Sequence, residues 1–185
     1  MQAQFTLEGG ARASLRHSHH RAVRDGLTFR VVPREEVPAL MPTLRRISDA
    51  WLAQKETREK RFSLGFFEPR YLAECPIALV EREGTVLGFA NVWLSGMSEE
   101  LSIDLMRFVP EAGRGVMDFL FVELMLWGRA ERFAWFNLGL APLSGLEPHA
   151  YAPAWNRVGA LLFRHGEHFY NFEGLRNYKE KFDPR

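Results

Sequence analysis

A carboxylate and a guanidinium stand three residues apart, Asp104 and Arg107, inside the otherwise apolar run Leu101–Phe108. Burying a carboxylate is costly unless it is paired or hydrogen-bonded, so Asp104 needs a partner. Either a neighbouring arginine makes it structural, or it binds a substrate cation or handles a proton. Next comes Pro110-Glu111-Ala112-Gly113-Arg114-Gly115, a glycine turn opening the apolar stretch Val116–Arg129. Such a turn can aim backbone N–H groups and the positive end of a helix at an anion; a plain loop before a core helix fits the same residues. Asn137 repeats the pattern of a polar side chain in an apolar run. His17, His19 and His20 cluster without a convincing metal-ligand set.

These residues need elements to hold them. The spacing predicts a strand over 101–108, a nearly all-apolar helix over 116–129 and a strand over 134–140. Strict alternation would put Leu101, Ile103, Leu105 and Arg107 on one face and Asp104 on the other, so the pair diverges unless a bulge intervenes. Upstream, residues 12–24 form a basic helix ending at Asp25-Gly26, read as a solvated appendage or linker in preference to a phosphate contact. Leu27–Val32 reads as a strand. Leu40, Leu44, Ile47 and Trp51 mark one stripe of a helix over 37–55, and Phe62–Leu72 a short aromatic-rich helix. Ile77–Glu81 and Val86–Leu94 flank a Gly-containing turn as a hairpin. Pro153–His165 reads as a helix and Phe169–Phe172 as a last strand before a basic tail. The order predicts mixed α/β architecture with a mainly antiparallel sheet.

With 185 residues, 46% of them hydrophobic, the chain can bury a substantial core. Its net charge of +1 excludes polyanion binding by bulk charge, leaving only local basic patches at the two ends. The single cysteine, Cys75, forms no internal disulfide, and no zinc-type spacing occurs; both suit a reducing compartment. No signal peptide or membrane-spanning run is visible.

The element order, with a glycine turn between the fourth strand and the following helix, resembles the Gcn5-related N-acetyltransferase (GNAT) fold. The wording goes further. Phe62-Ser63-Leu64-Gly65, Gly88-Phe89-Ala90-Asn91, Asp104-Leu105-Met106-Arg107, Gly115 to Phe121, Phe136-Asn137-Leu138-Gly139, Ala141 to Gly145, His165-Gly166-Glu167, Gly174-Leu175-Arg176 and Tyr178 to Phe182 stand in one order. Together they resemble the C-terminal domain of the bacterial phosphatidylglycerol lysyltransferase, or multiple peptide resistance factor, family over residues 5–185. The resemblance implies a cytosolic synthase of two GNAT-like halves behind a membrane flippase domain. Residues 1–26 would be the segment connecting the halves, and 27–185 the second half, ending a few residues before its relatives do. This chain would then be a soluble, cytoplasmic part of a membrane protein.

The implied reaction moves lysine or alanine from an aminoacyl-tRNA to a glycerol hydroxyl of phosphatidylglycerol, which confers resistance to cationic antimicrobial peptides. Other acceptors, or a non-catalytic half that binds tRNA or membrane, are the rival readings. Aminoacyl-tRNA is a co-substrate and no metal or cofactor is required. Ordinary acetyltransferases carry an Arg/Gln-x-x-Gly-x-Gly/Ala turn for coenzyme A, and Glu111–Val116 keeps only fragments of it, which argues against acetyl-CoA. By the resemblance, Asp104 binds the aminoacyl ammonium and Arg107 the ester or phosphate region, with Glu167 as a second carboxylate or base, unless it caps or pairs with Arg164. Arg176, Lys179 and Lys181 would neutralise tRNA or lipid phosphate, or else belong to a solvated tail. Arg114 and Gly115 would meet a phosphate at the helix start, and Asn137 and Ser144 would hydrogen-bond substrate.

Overall fold

The computed structural model describes residues 5–10, 12–55, 65–113, 115–138 and 178–182. The chain divides into two compact units, Met1–Asn137 and Leu138–Arg185. The first holds α1 (Ala13–Arg24), β1 (Leu27–Val32), α2 (Val37–Gln54), α3 (Pro69–Leu72), β2 (Ile77–Arg82), β3 (Thr85–Leu94), β4 (Glu100–Phe108), α4 (Val116–Ala130) and β5 (Trp135–Asn137). The five strands lie in sequence order in one sheet. Every neighbouring pair is antiparallel except β4 and β5, which run parallel.

Short connections account for that order. Glu83 and Gly84 turn β2 into β3 as a tight hairpin, as the sequence suggested. The β4–β5 crossover must instead be long enough to return in the same direction, and α4 fills it. Residues Val116, Phe119, Leu120, Val122, Leu124 and Met125 of α4 are buried, which matches a helix apolar nearly all round. It packs on β2, while α2 lays Leu44 and Ile47 onto β3 and β4. Leu40 and Trp51, from the same stripe of α2, are only partly buried.

Three expectations need correction. Of the aromatic helix expected over 62–72, residues 62–64 lie outside the described residues, 65–68 are in neither helix nor strand, and only the single turn of α3 is helical. The strand expected over 134–140 is β5, three residues long, and Gly139 and Leu140 lie outside the described residues. The basic N-terminal helix is no solvated appendage, because α1 packs on α4 through Leu15, Ala22 and His19. His19 stacks on Phe119 at 5.4 Å between ring centroids, and its Nε2 lies 2.6 Å from Glu123 Oε1. Phe5 ahead of it is 1% exposed and its carbonyl accepts from Arg129 Nη1 at 2.8 Å. The outer side of α1 keeps His17, His20, Arg21 and Arg24 exposed.

In the second unit, residues 178–180 form a helical turn, the Phe182 N–H donates to the Lys179 carbonyl at 3.0 Å, and the rings of Tyr178 and Phe182 lie 5.5 Å apart. The helix expected over 153–165 and the strand over 169–172 fall outside the described residues.

Candidate functional site

The site is built on an irregularity of β4. Ala90 pairs with Met106, but Val92 pairs with Ile103, so Asn91 alone faces the two residues Asp104 and Leu105. This is a β-bulge, which inserts one extra residue and reverses the facing of everything beyond it. The bulge that the sequence left open is present, so Asp104 and Arg107 do not diverge as strict alternation would require. Arg107 pairs across from Phe89. Phe89, Asn91 and Trp93 share a face of β3 by alternation. The Asp104 carboxylate joins Asn91 and Trp93 through the Tyr71 hydroxyl, so both charged residues lie on that face.

Asn91 holds the bulge open. It is fully buried, and its Oδ1 accepts the Leu105 backbone N–H at 2.7 Å, satisfying a donor that the broken ladder leaves without a strand partner. Its Nδ2 donates to Tyr71 Oη at 2.9 Å. Trp93 Nε1 donates to the same oxygen at 2.6 Å. Tyr71 in turn donates to Asp104 Oδ2 at 2.8 Å, and the Gly65 N–H donates to that oxygen at 3.1 Å. Burial, then the Asp104 hydrogen bond, pushes the Tyr71 phenol well above its ordinary range. Burial also raises the Cys75 thiol.

Gly65 must be glycine to make its contact. Its φ is +84°, and a Cβ there would lie 3.2 Å from the Asp104 carbonyl oxygen. Arg107, 9% exposed, lays its guanidinium over the Trp51 ring of α2, 4.0 Å from the centroid. That stack holds the guanidinium in one place. Pairing with β5 covers only Glu100 to Ser102 of β4. From Ile103 onward no described strand pairs with that edge.

The glycine turn builds a second feature. Gly115 caps α4 with φ +89°, in the left-handed region, and supplies no side-chain cap. A cleft of about 540 Å³ lies between this turn and α1. Its lining includes Arg21 and Arg82 and the acidic residues Asp25, Glu111 and Asp118.

Asn137 is exposed and donates to Glu100 Oε1 at 3.1 Å across the parallel pair. Burial lowers the Lys179 ammonium, and Lys181 Nζ sits 5.0 Å from the Tyr178 ring centroid. Arg114, Ser144, Glu167 and Arg176 lie outside the described residues. Among the described residues no cluster of three His, Cys, Asp or Glu side chains could hold a metal. Sequence reading missed Tyr71, Asn91 and Trp93. Their signal was that Tyr71, Asn91 and Asp104 each place a polar group among apolar residues, and such groups must satisfy one another.

A five-stranded mixed sheet with flanking helices, a bulged fourth strand and a glycine turn into the next helix defines a GNAT-like α/β fold. Within that class, the chain belongs to the family described as phosphatidylglycerol lysyltransferase, C-terminal, whose model matches residues 2–185. The phosphatidylglycerol lysyltransferase of Bacillus subtilis is 41% identical over 182 residues, and that of Staphylococcus haemolyticus is 32% identical over 182. These alignments cover 97% and 98% of this chain but only 21% of either relative. Among solved structures, a C-terminal domain assigned to a lysylphosphatidylglycerol synthetase of Agrobacterium fabrum matches all of the chain with a TM-score of 0.83 and 47% identity. L-PGS from Bacillus licheniformis matches 98% of it with a TM-score of 0.75 and 39% identity. The chain spans 55% and 54% of those two structures. It is thus one part of a lipid-modifying transferase family.

Proposed function

We propose that this chain holds the aminoacyl donor in a phosphatidylglycerol lysyltransferase that takes lysine, or alanine, from aminoacyl-tRNA. The glycerol hydroxyl of the lipid attacks the ester carbonyl, a tetrahedral oxyanion forms, the ribose hydroxyl leaves, and the proton lost by the attacking oxygen ends on the ribose. A lipid ester replaces a tRNA ester, with no net acid or base consumed. What such a step needs from the protein is a fixed donor and a stabilised oxyanion.

The observation that carries the reading is the bulge, which brings Asp104 and Arg107 to one face of β4. Asp104 binds the aminoacyl ammonium, and the Arg107 guanidinium, held over Trp51, stabilises charge at the ester or a phosphate. Transfer of lysine adds two ammonium groups to a headgroup with one phosphodiester charge, turning an anionic surface cationic. That change repels cationic antimicrobial peptides. Against acetyl-CoA as the acyl donor stand the incomplete coenzyme A pattern of Glu111–Val116 and a cleft whose described lining has three acidic residues beside two arginines.

Lys179, Lys181 and the exposed basic side of α1 meet tRNA or lipid phosphates, and a preceding GNAT-like half with a membrane flippase domain makes up the rest of the protein. The test is a reconstituted assay of the complete protein with lysyl-tRNA and phosphatidylglycerol vesicles, read by mass spectrometry. Lysyl-phosphatidylglycerol should appear. Lysyl transfer to another acceptor alone, or salt-sensitive tRNA binding without turnover, would contradict the reading.

A further inference from the structure

We propose that Tyr71 is a positioning residue for Asp104, and that Asn91 and Trp93 dictate the direction of its hydroxyl proton. The inference rests on Asp104 as the donor-binding carboxylate and adds how that carboxylate is aimed. A phenolic oxygen has one proton to give and two lone pairs to fill. Here both lone pairs are taken, by Asn91 Nδ2 at 2.9 Å and by Trp93 Nε1 at 2.6 Å. An indole N–H can only donate. The Asn91 amide has only one consistent orientation too, because its oxygen must accept the Leu105 N–H. The Tyr71 proton therefore has one direction left, toward Asp104 Oδ2.

That oxygen also accepts the Gly65 N–H, so it is fixed by two donors from separate segments. Oδ1 takes no hydrogen bond among the described residues, and Asp104 is partly exposed. The carboxylate is clamped by one oxygen and presents the other as an acceptor for a cation. Asn91 couples two functions in one side chain, since the amide that keeps the bulge open also orients the phenol. Tyr71 is no acid or base itself, because its lone pairs are filled and its ionisation is pushed up. The network runs from a buried amide to an indole that is 38% exposed.

The test uses the complete protein with lysyl-tRNA and phosphatidylglycerol vesicles, varying each substrate in turn. Tyr71→Phe should lower kcat/KM for lysyl-tRNA about ten- to a hundredfold, the range for a hydrogen bond to a charged group, with KM for the lipid unchanged. Trp93→Phe, at a half-exposed position where folding is not at risk, should lower it about threefold to tenfold. In the double variant, Trp93→Phe should add nothing, because its effect acts through the hydroxyl that Tyr71→Phe removes. Three results would overturn the proposal: unchanged kinetics in Tyr71→Phe, additive losses in the double variant, or an equal loss toward both substrates with a lowered Tm. If the unaltered protein forms no lysyl lipid, it is the functional reading that fails; if it does and Tyr71→Phe matches it, only the positioning role fails.

Discussion

At the scale of single residues, the site depends on fixed side chains more than on unusual ones. Arg107 is held by the Trp51 ring, and lysine cannot reproduce a planar stack. Arg107→Lys should therefore cut lysyl transfer by about tenfold or more while leaving the fold intact, measured as kcat/KM beside a circular dichroism spectrum. Equal activity would show that position 107 supplies charge alone. Tyr71 offers a pH test. Its folded ionisation is raised above the ordinary value, so the fold favours the neutral phenol. That preference is fully present below pH ~10 and is lost as pH climbs through the folded value. The ultraviolet difference between the parent protein and Tyr71→Phe should show no tyrosinate through the range where an ordinary tyrosine ionises. A difference band at that ordinary pH would mean the phenol is solvated. Gly65→Ala should cost about 1–2 kcal/mol in a denaturant titration, from a left-handed backbone carrying a Cβ.

At the scale of elements, the strand at 101–108 and the helix at 116–129 were legible because their apolar runs are long and their boundaries are marked by Pro110 and the glycine turn. The bulge was not legible from β4 alone. Alternation is counted along one strand, whereas a bulge is decided by the partner, here by the Asn91 amide taking the Leu105 N–H. Tyr71 escaped notice for a related reason: among Phe66, Phe67 and Leu72 it reads as one more core aromatic, and only its hydroxyl differs. The segment before Gly26 was misread because its charge pattern dominates its few apolar residues, yet Leu15 and Phe5 are almost fully buried. Leu15→Ala should destabilise the first unit by about 2–4 kcal/mol, read from chemical denaturation. A change within a few tenths would mean that α1 contributes little to that unit.

At the scale of the whole molecule, this chain matches only 21% of the length of the B. subtilis and S. haemolyticus relatives. The proposed transfer of an aminoacyl group from an RNA ester to a lipid suits a protein of several parts, and no helix among the described residues is long and apolar enough to cross a membrane. In the proposed reading this chain binds the donor, and the lipid is delivered at a membrane surface. The most direct measurement is therefore made in the complete protein: lysyl-phosphatidylglycerol formed from lysyl-tRNA by the parent and by Asp104→Asn, which keeps size and shape but removes the charge. The account predicts that Asp104→Asn loses at least about a hundredfold in kcat/KM for lysyl-tRNA, as expected when a charge-assisted contact to the donor is lost. Transfer at the parental rate would contradict it.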